Sequence, residues 1–155
     1  MLRLSRLADY GVMVMAHVAA DPVGVHNAAD AAGATGLPGP TVAKIMAKLA
    51  KAGLLASLRG ARGGYRLATA PEEITVAAII TALDGPIALT QCSTGSHEPS
   101  ACDRESLCVS RRGINRINTA IRSALEGVTL AELARPAYDF FGPLPPRAAA
   151  PPPNA

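Results

Sequence analysis

The sequence predicts a mainly α-helical fold with a small β-hairpin wing, in which a winged helix-turn-helix domain precedes a long dimerisation helix. Three features of the chain predict it. The first half contains amphipathic segments whose apolar residues recur at helical spacing. Two short apolar segments then flank a Gly- and Arg-rich turn within residues 54–67, which is typical of a hairpin. A further apolar stripe at helical spacing follows residue 113.

Composition and charge divide the 155 residues into three parts. Residues 1–70, the predicted winged helix-turn-helix domain, carry eight Lys/Arg against three Asp, and this net charge of +5 favours a polyanionic partner such as double-stranded DNA. Residues 71–134 contain a helix, a cysteine-containing loop at 86–108 and the dimerisation helix at 109–127. Residues 135–155 are rich in Pro and Ala, a composition that predicts a disordered tail.

The first predicted helix covers residues 5–20 and ends at Asp21-Pro22. Its apolar face is formed by residues at helical spacing, namely Leu7, Val14, Met15 and Val18. Asn27 is suited to cap a short Ala-rich second helix, and Gly36 is suited to end it. Together with a third helix, these two would form a helix-turn-helix.

The third predicted helix begins near Pro40 and ends near Gly53, and its two faces differ in chemistry. The apolar face consists of Val42, Ile45, Met46 and Leu49. The opposite face consists of Thr41, Lys44, Lys48 and Lys51. This pattern predicts a recognition helix in the major groove of DNA, whereas an ordinary solvated lysine face is the alternative.

The hairpin that follows is predicted to be the wing, with strands at Leu54–Leu58 and Tyr65–Leu67. Arginines at its tip would reach the DNA backbone or an adjacent minor groove. Its glycines, at positions 60, 63 and 64, would permit positive φ and a close approach of the backbone to DNA. The predicted DNA-contacting residues are therefore Thr41, Lys44, Lys48, Arg59, Arg62, Gly63 and Tyr65.

Beyond Pro71, two more helices are predicted. The first has Ile74, Ala77, Ala78 and Leu83 facing inward and stops at Gly85-Pro86. The second carries a long apolar stripe formed by Ile114, Ile117, Ile121, Ala124, Leu125 and Val128. This stripe must be buried either within the chain or against a second subunit, and paired DNA half-sites favour a homodimer.

All three cysteines of the chain, Cys92, Cys102 and Cys108, fall in one polar loop with C-x9-C-x5-C spacing. Packing gives such residues no reason to be there, and thiolates are soft ligands for iron–sulfur clusters, zinc or copper(I). An odd number of cysteines argues against a disulfide framework. A zinc site with His97 as the fourth ligand, or three unrelated thiols, are the alternatives.

Other function classes find little support in the sequence. The apolar run Gly11–Ala20 is too short to span a membrane and lacks the cleavage pattern of a signal peptide, so a cytoplasmic protein is expected. No nucleophile–base pair and no phosphate-binding Gly motif before a helix is present, so an enzyme is not expected.

The chain resembles the winged-helix iron–sulfur regulators of the IscR, NsrR and RirA type (Rrf-type family). The matching segments are "RLADYG", "PTVAKIMAKLAKAGLLASLRGARGGYRLA", "ITVAAIITALDGPIALTQC" with the cysteine loop, and "INRINTAIRSALEGVTLAELA". The run "ALDGPIALTQC" with "SLC" is most similar to the branch that regulates the SUF iron–sulfur assembly operon. The resemblance implies a DNA-binding repressor that senses iron–sulfur or iron status.

The resemblance also implies a 2Fe–2S or 4Fe–4S cluster in each subunit, bound by the three cysteines. The histidine that completes the IscR site three positions after the last cysteine is replaced here by Arg111. In NsrR the fourth ligand is an aspartate of the partner's first helix, and Asp9-Tyr10 stands in the matching place. Asp9 is therefore the expected fourth ligand, with Asp103, Glu105 and His97 as other candidates. A zinc-stabilised, cysteine-redox or nitric-oxide-responsive repressor without a stable cluster is the alternative.

Overall fold

The computed structural model describes residues 3–60, 63–90 and 108–135. Within these ranges the elements follow in the order α1 (Arg6–Ala20), α2 (Ala28–Thr35), α3 (Gly39–Lys51), β1 (Leu55–Leu58), β2 (Gly64–Leu67), a 3-10 turn (Pro71–Glu73), α4 (Val76–Asp84), α5 (Arg111–Glu126) and α6 (Leu130–Leu133). Helices thus dominate, and the strands pair as one antiparallel hairpin. The predicted fold class, mainly α with a small hairpin wing, is confirmed.

Local capping signals set the ends of the first helices. The Ser5 hydroxyl caps α1 by accepting a hydrogen bond from the Ala8 N–H at 3.0 Å. The Asn27 side chain caps α2 by accepting from the Asp30 N–H at 2.8 Å, and Gly36 ends this helix with a φ of 69°. Gly53, with a φ of 80°, follows the end of α3. Each of these ends lies where the sequence predicts it, because the signals act within one helical turn.

The main core surrounds α1, which packs against α2, α3, α4 and α6. The predicted apolar face of α3 is fully buried, since Val42, Ile45, Met46 and Leu49 are all 0% exposed. Residues after the hairpin also contribute to this core, among them Ile74, Ile79, Leu83 and Leu130. A second, smaller cluster joins Ala8, Val76 and Ile80 to half-buried side chains of the C-terminal part, including Leu125 and Leu133.

α4 differs from its predicted orientation at one position. Val76, Ala77, Ile79, Ile80 and Leu83 are buried, but Ala78, which was expected to face inward, is only half-buried and lines a surface cleft. That expectation was wrong because α4 packs into two apolar clusters, with Ile79 and Leu83 in one and Val76 and Ile80 in the other. A single apolar stripe does not describe a helix buried in this way.

The residues just before α4 pair with those just before α6 through two backbone hydrogen bonds. The N–H of Leu130 donates to the carbonyl of Ile74 at 2.7 Å, and the N–H of Val76 donates to the carbonyl of Val128 at 3.0 Å. α6 then begins with a capping box between Thr129 and Glu132, which lowers the pKa of the Glu132 carboxyl through hydrogen bonds to the Thr129 N–H and hydroxyl. None of the helices in the described ranges is long and apolar enough to cross a bilayer.

The crossing of α1 and α4 depends on Gly11. A Cβ atom at this buried position would overlap Leu83 Cδ1 and lie 3.8 Å from Ile79 Cγ2. Gly11→Val is therefore expected to lower the free energy of unfolding by about 1–3 kcal/mol, because the added atoms overpack a filled interface. Urea unfolding of the purified variant measures this difference.

The matched control is Gly33→Val in α2, where no atom lies within 4 Å of the added Cβ. The same exchange there is expected to change stability by less than about 0.5 kcal/mol. Helix propensity favours Val over Gly at both positions, so equal losses at both would show that the contact between α1 and α4 is not what makes position 11 sensitive.

Candidate DNA interface and cysteine segment

α3 presents a mixed face of small and cationic side chains to solvent. Ala43, Lys44, Ala47 and Lys51 are exposed, whereas Thr41 is half-buried in the first turn. The Thr41 N–H donates to the carbonyl of Pro38 at 2.9 Å, so the chain is already turned before the helix starts. In the described part of the chain, the Lys44 ammonium has no hydrogen bond or ion pair. Lys44 can therefore bind a phosphate without giving up a protein partner.

Lys48 differs from its neighbours on the same helix. It is half-buried, and its ammonium donates a hydrogen bond of 2.8 Å to the carbonyl of Leu83 near the end of α4. A cation at this end of a helix also interacts favourably with the helix dipole. Helical spacing places Lys48 on the lysine face, but its side chain serves a contact within the protein.

The wing consists of β1 and β2, paired in register from Leu55 with Leu67 to Leu58 with Gly64. Arg59 is exposed at the tip, and Arg62 lies outside the described residues. Arg66, on β2 opposite Ala56, is also exposed and adds a cation that the predicted contact set did not contain. The alternation of exposed Arg66 with buried Leu67 was the sequence signal that could have identified it.

The tip half of the wing, where Tyr65 pairs with Ser57, is attached to His26, the residue before the N-cap of α2. Tyr65 and His26 exchange two backbone hydrogen bonds of 2.8 Å, so His26 adds a third short strand position to the hairpin. The Tyr65 side chain is half-buried against the main core. Tyr65 therefore has a structural role in holding the tip half of the wing against the core, in addition to any contact with DNA.

The wing glycines have a different role from the one that the sequence suggested. Gly60 has a φ of 120°, but Gly63 and Gly64 do not have positive φ, so that expectation was wrong for these two. A Cβ at Gly63 would lie 2.9 Å from the Gly60 carbonyl oxygen, and one at Gly64 would lie 2.7 Å from that of His26. Both glycines are required because the hairpin backbone passes close to other backbone.

Of the proposed cluster ligands, the structure describes Cys108 and Asp9. Cys108 is an exposed free thiol just before α5, in which Arg111 is the first residue. Asp9 is exposed in the first turn of α1. Its carboxylate has no hydrogen bond or ion pair among the described residues. The remaining candidates, Cys92, Cys102, His97, Asp103 and Glu105, lie outside the described residues.

Within residues 3–60, 63–90 and 108–135, no three His, Cys, Asp or Glu side chains converge on a point that could hold a metal ion. The donor chemistry fits an iron–sulfur cluster, because three thiols in one segment are soft ligands and the Asp9 carboxylate, which has no partner in the described part of the chain, is a harder oxygen donor.

α5 carries an apolar stripe that residues 3–60, 63–90 and 108–135 cover only in part. Asn118 is buried on this helix, whereas Ile114, Ile121 and Leu125 are half-buried and Ile117 is 50% exposed. α5 packs mainly against α4. An amphipathic helix of 16 residues with these exposures presents a surface suited to pairing with a second copy.

Comparison with known proteins agrees with this architecture. The Rrf2 family, described as an iron-dependent transcriptional regulator, matches residues 4–136. The HTH-type transcriptional regulator IscR of Aliivibrio salmonicida is 33% identical over 133 residues, which make up 85% of this chain and 77% of that protein. NsrR of Halalkalibacterium halodurans is 27% identical over 133 residues, 85% of this chain and 90% of that protein.

The solved structure of CymR (YrzC), the global cysteine regulator of B. subtilis, is also similar. It has a TM-score of 0.66 and 30% sequence identity, covering 86% of this chain and 97% of that chain. These relatives are named as regulators, which agrees with the expectation that the chain is not an enzyme. The fold, the family match and the two relatives together confirm the resemblance seen in the sequence, and the chain belongs to the Rrf2 family of transcriptional regulators.

Proposed function

We propose that this chain is a cytoplasmic, homodimeric DNA-binding repressor that senses iron–sulfur or iron status and controls iron–sulfur assembly genes of the SUF type. The observation that carries the proposal is the placement of three cysteines. They lie in the segment between Thr90, which follows α4, and Arg111, which begins α5. The segment directly connects α4, which packs against α3, to α5, which would join the two subunits.

DNA binding would use α3 and the wing of each subunit. α3 lies in the major groove, with Thr41 and Lys44 in its first half, while Arg59 and Arg62 at the wing and Arg66 on β2 follow the phosphates. In a dimer the two α3 helices must be about 34–36 Å apart to enter successive turns of one DNA face. The spacing of the two helices is therefore the property that regulation would change.

The ligand set of the proposed cluster is Cys92, Cys102 and Cys108, with Asp9 of the partner subunit as the fourth ligand. When bound, such a cluster supplies iron and sulfide that react with oxygen or nitric oxide, so that its presence reports the state of the cell. The three cysteines of one subunit and Asp9 of the other would hold it. The Cys108 thiol is exposed, and the Asp9 carboxylate has no partner among the residues that the structure describes, so both groups are available as ligands.

Lys44→Ala tests the DNA-binding part of the proposal. Each subunit would lose one phosphate contact, so a dimer would lose two. The slope of the logarithm of the association constant against the logarithm of the salt concentration is expected to become shallower by about 1.8. Fluorescence anisotropy with a labelled palindromic promoter fragment, at several salt concentrations, measures this slope.

Arg122→Ala is the matched control, because Arg122 is an exposed cation already paired with Glu126 at 2.8 Å. Its salt slope is expected to equal that of the wild type. If Lys44→Ala left both the affinity and the slope unchanged, α3 would not be the recognition helix in the proposed orientation.

A cysteine-redox or zinc-stabilised repressor is the second candidate. The observation in its favour is the likeness to CymR, described as a global cysteine regulator, together with the free and exposed thiol of Cys108. Anaerobic purification separates the two. A brown protein whose visible absorbance disappears in air supports the cluster, whereas a colourless protein with one zinc per chain supports the second candidate.

A further inference from the structure

Three tertiary hydrogen bonds converge on a short segment that leads into the cysteines. The segment, residues 83–89, comprises the end of α4 and the chain that leaves it, and is here called the stem. Its first contact is the hydrogen bond of 2.8 Å from the Lys48 ammonium of α3 to the Leu83 carbonyl. This carbonyl is among the last four of α4, which have no partner within the helix, so Lys48 satisfies it.

The second contact joins the stem to α1. Asp84 accepts a hydrogen bond of 2.8 Å from the hydroxyl of Ser5, and the same hydroxyl caps α1 by accepting from the Ala8 N–H. The start of α1, where Asp9 lies in the first turn, is therefore held against the end of α4.

The third contact joins the stem to α5. The N–H of Leu89 donates to the side-chain oxygen of Asn118 at 3.0 Å, and Asn118 is only 9% exposed. A buried amide that binds a backbone N–H fixes that backbone, because losing the partner would leave a polar group unsatisfied. The stem thus contacts the recognition helix, the capped start of α1 and the predicted dimerisation helix just before Cys92.

We propose that Lys48 is a positioning residue that couples the cysteine segment to α3 through the stem, and not a phosphate contact. This inference rests on the proposed function, whose regulation it specifies. A change in the cysteine segment that moves the stem moves the Leu83 carbonyl, and the hydrogen bond from Lys48 transfers this movement to the second half of α3. Lys44, one turn earlier and without a partner in the described part, keeps its ammonium for DNA.

The lysine content of the chain provides a direct test. The three lysines, Lys44, Lys48 and Lys51, are the only ones in the sequence, and all lie in α3. Every amine-labelled side chain found by mass spectrometry in the wild-type protein therefore lies in this helix, and the α-amino group is distinguished by the peptide that carries it. Without DNA, Lys48 is expected to react more slowly than Lys44 and Lys51, because the residue is half-buried and its ammonium is hydrogen-bonded.

Addition of the operator fragment is expected to slow the labelling of Lys44 and to leave Lys48 unchanged. Conversion between the cluster-loaded and cluster-free protein is expected to change the rate at Lys48 and to leave Lys44 unchanged. Protection of Lys48 by DNA as strong as that of Lys44 would overturn the inference and restore Lys48 as a DNA contact. Failure of the wild type to bind the fragment at all would instead contradict the proposed function.

A variant pair gives a second measurement. Lys48→Met keeps the length of the side chain and removes the donor, while Lys44→Met makes the same exchange at the proposed phosphate contact. For Lys48→Met, the operator dissociation constants of the cluster-loaded and cluster-free forms are expected to come within about twofold of each other. The salt dependence of its operator binding is expected to equal that of the wild type. Lys44→Met is expected to keep the wild-type ratio of the two dissociation constants and to bind the operator with a shallower salt dependence.

The inference would be overturned if Lys48→Met showed a shallower salt dependence and an unchanged ratio of the two dissociation constants. Lys48→Arg keeps a donor and is expected to restore most of the wild-type ratio. If Lys48→Met does not fold, the labelling rates of the wild-type protein decide between the two roles.

Discussion

Cys108→Ala is expected to yield a colourless protein that retains neither iron nor inorganic sulfide after anaerobic purification. The structure places this thiol free and exposed at the entrance to α5, where a structural role in packing is absent among the described contacts. Its removal therefore takes away a ligand without opening a cavity, and the thermal unfolding of the cluster-free variant is expected to match that of the cluster-free wild type. Iron and sulfide analysis with visible absorbance measures the effect.

Ser110→Ala is the matched control, since Ser110 is two residues further on, is exposed, and makes no capping hydrogen bond to α5. It is expected to keep the wild-type colour and sulfide content. A Cys108→Ala protein with full iron and sulfide would show that the cysteine is not a ligand, and the proposed site would have to be abandoned.

Ile117→Glu is expected to convert the protein from dimer to monomer and to weaken operator binding by at least about 100-fold. The physical reason is that Ile117 is 50% exposed on the apolar stripe of α5, where a carboxylate would be buried against the partner helix. Because its exposure is high in the single chain, the substitution is expected to spare the fold of each subunit. Sedimentation velocity and anisotropy measure the two effects.

Thr119→Glu introduces the same charge two residues further along α5, at an exposed polar position off the stripe. This control is expected to remain dimeric and to bind the operator with wild-type affinity. A monomeric Thr119→Glu protein, or a dimeric Ile117→Glu protein, would contradict pairing through the apolar stripe.

Much of the DNA-binding half could be predicted because its signals are local. Asn27 and Gly36 set the ends of α2 within one turn, and the apolar face of α3 is read directly from spacing. The wing glycines were expected to permit positive φ, which Gly60 has, whereas Gly63 and Gly64 are constrained by nearby backbone atoms. Spacing shows that a small residue is needed and does not show which atoms it approaches.

The hydrogen bond of Lys48 to Leu83 could not be predicted, because its partner is 35 residues away in the sequence. Helical periodicity assigned it to the lysine face correctly, and only the packing of α3 beside the end of α4 brings the Leu83 carbonyl within reach. Asn118 was missed for a related reason. A polar residue within an apolar stripe carries no sign that the N–H of Leu89 will need it.

Regulation of the proposed kind would depend on the geometry of the stem. The stem binds α1, α3 and α5 through Asp84, Leu83 and Leu89, so a shift of the stem alters three helices at once. A tenfold change in operator affinity requires only about 1.4 kcal/mol of coupling between the cysteine segment and DNA. Such a free energy is comparable to that of one or two hydrogen bonds of the kind seen at the stem.

The most direct measurement compares operator affinity for two matched anaerobic samples, one fully loaded and one free of iron and sulfide, at the same salt concentration. The account predicts dissociation constants that differ by at least about tenfold. Equal constants, in samples whose iron and sulfide contents have been verified as full and zero, would contradict the claim that the cysteine segment controls how this regulator binds DNA.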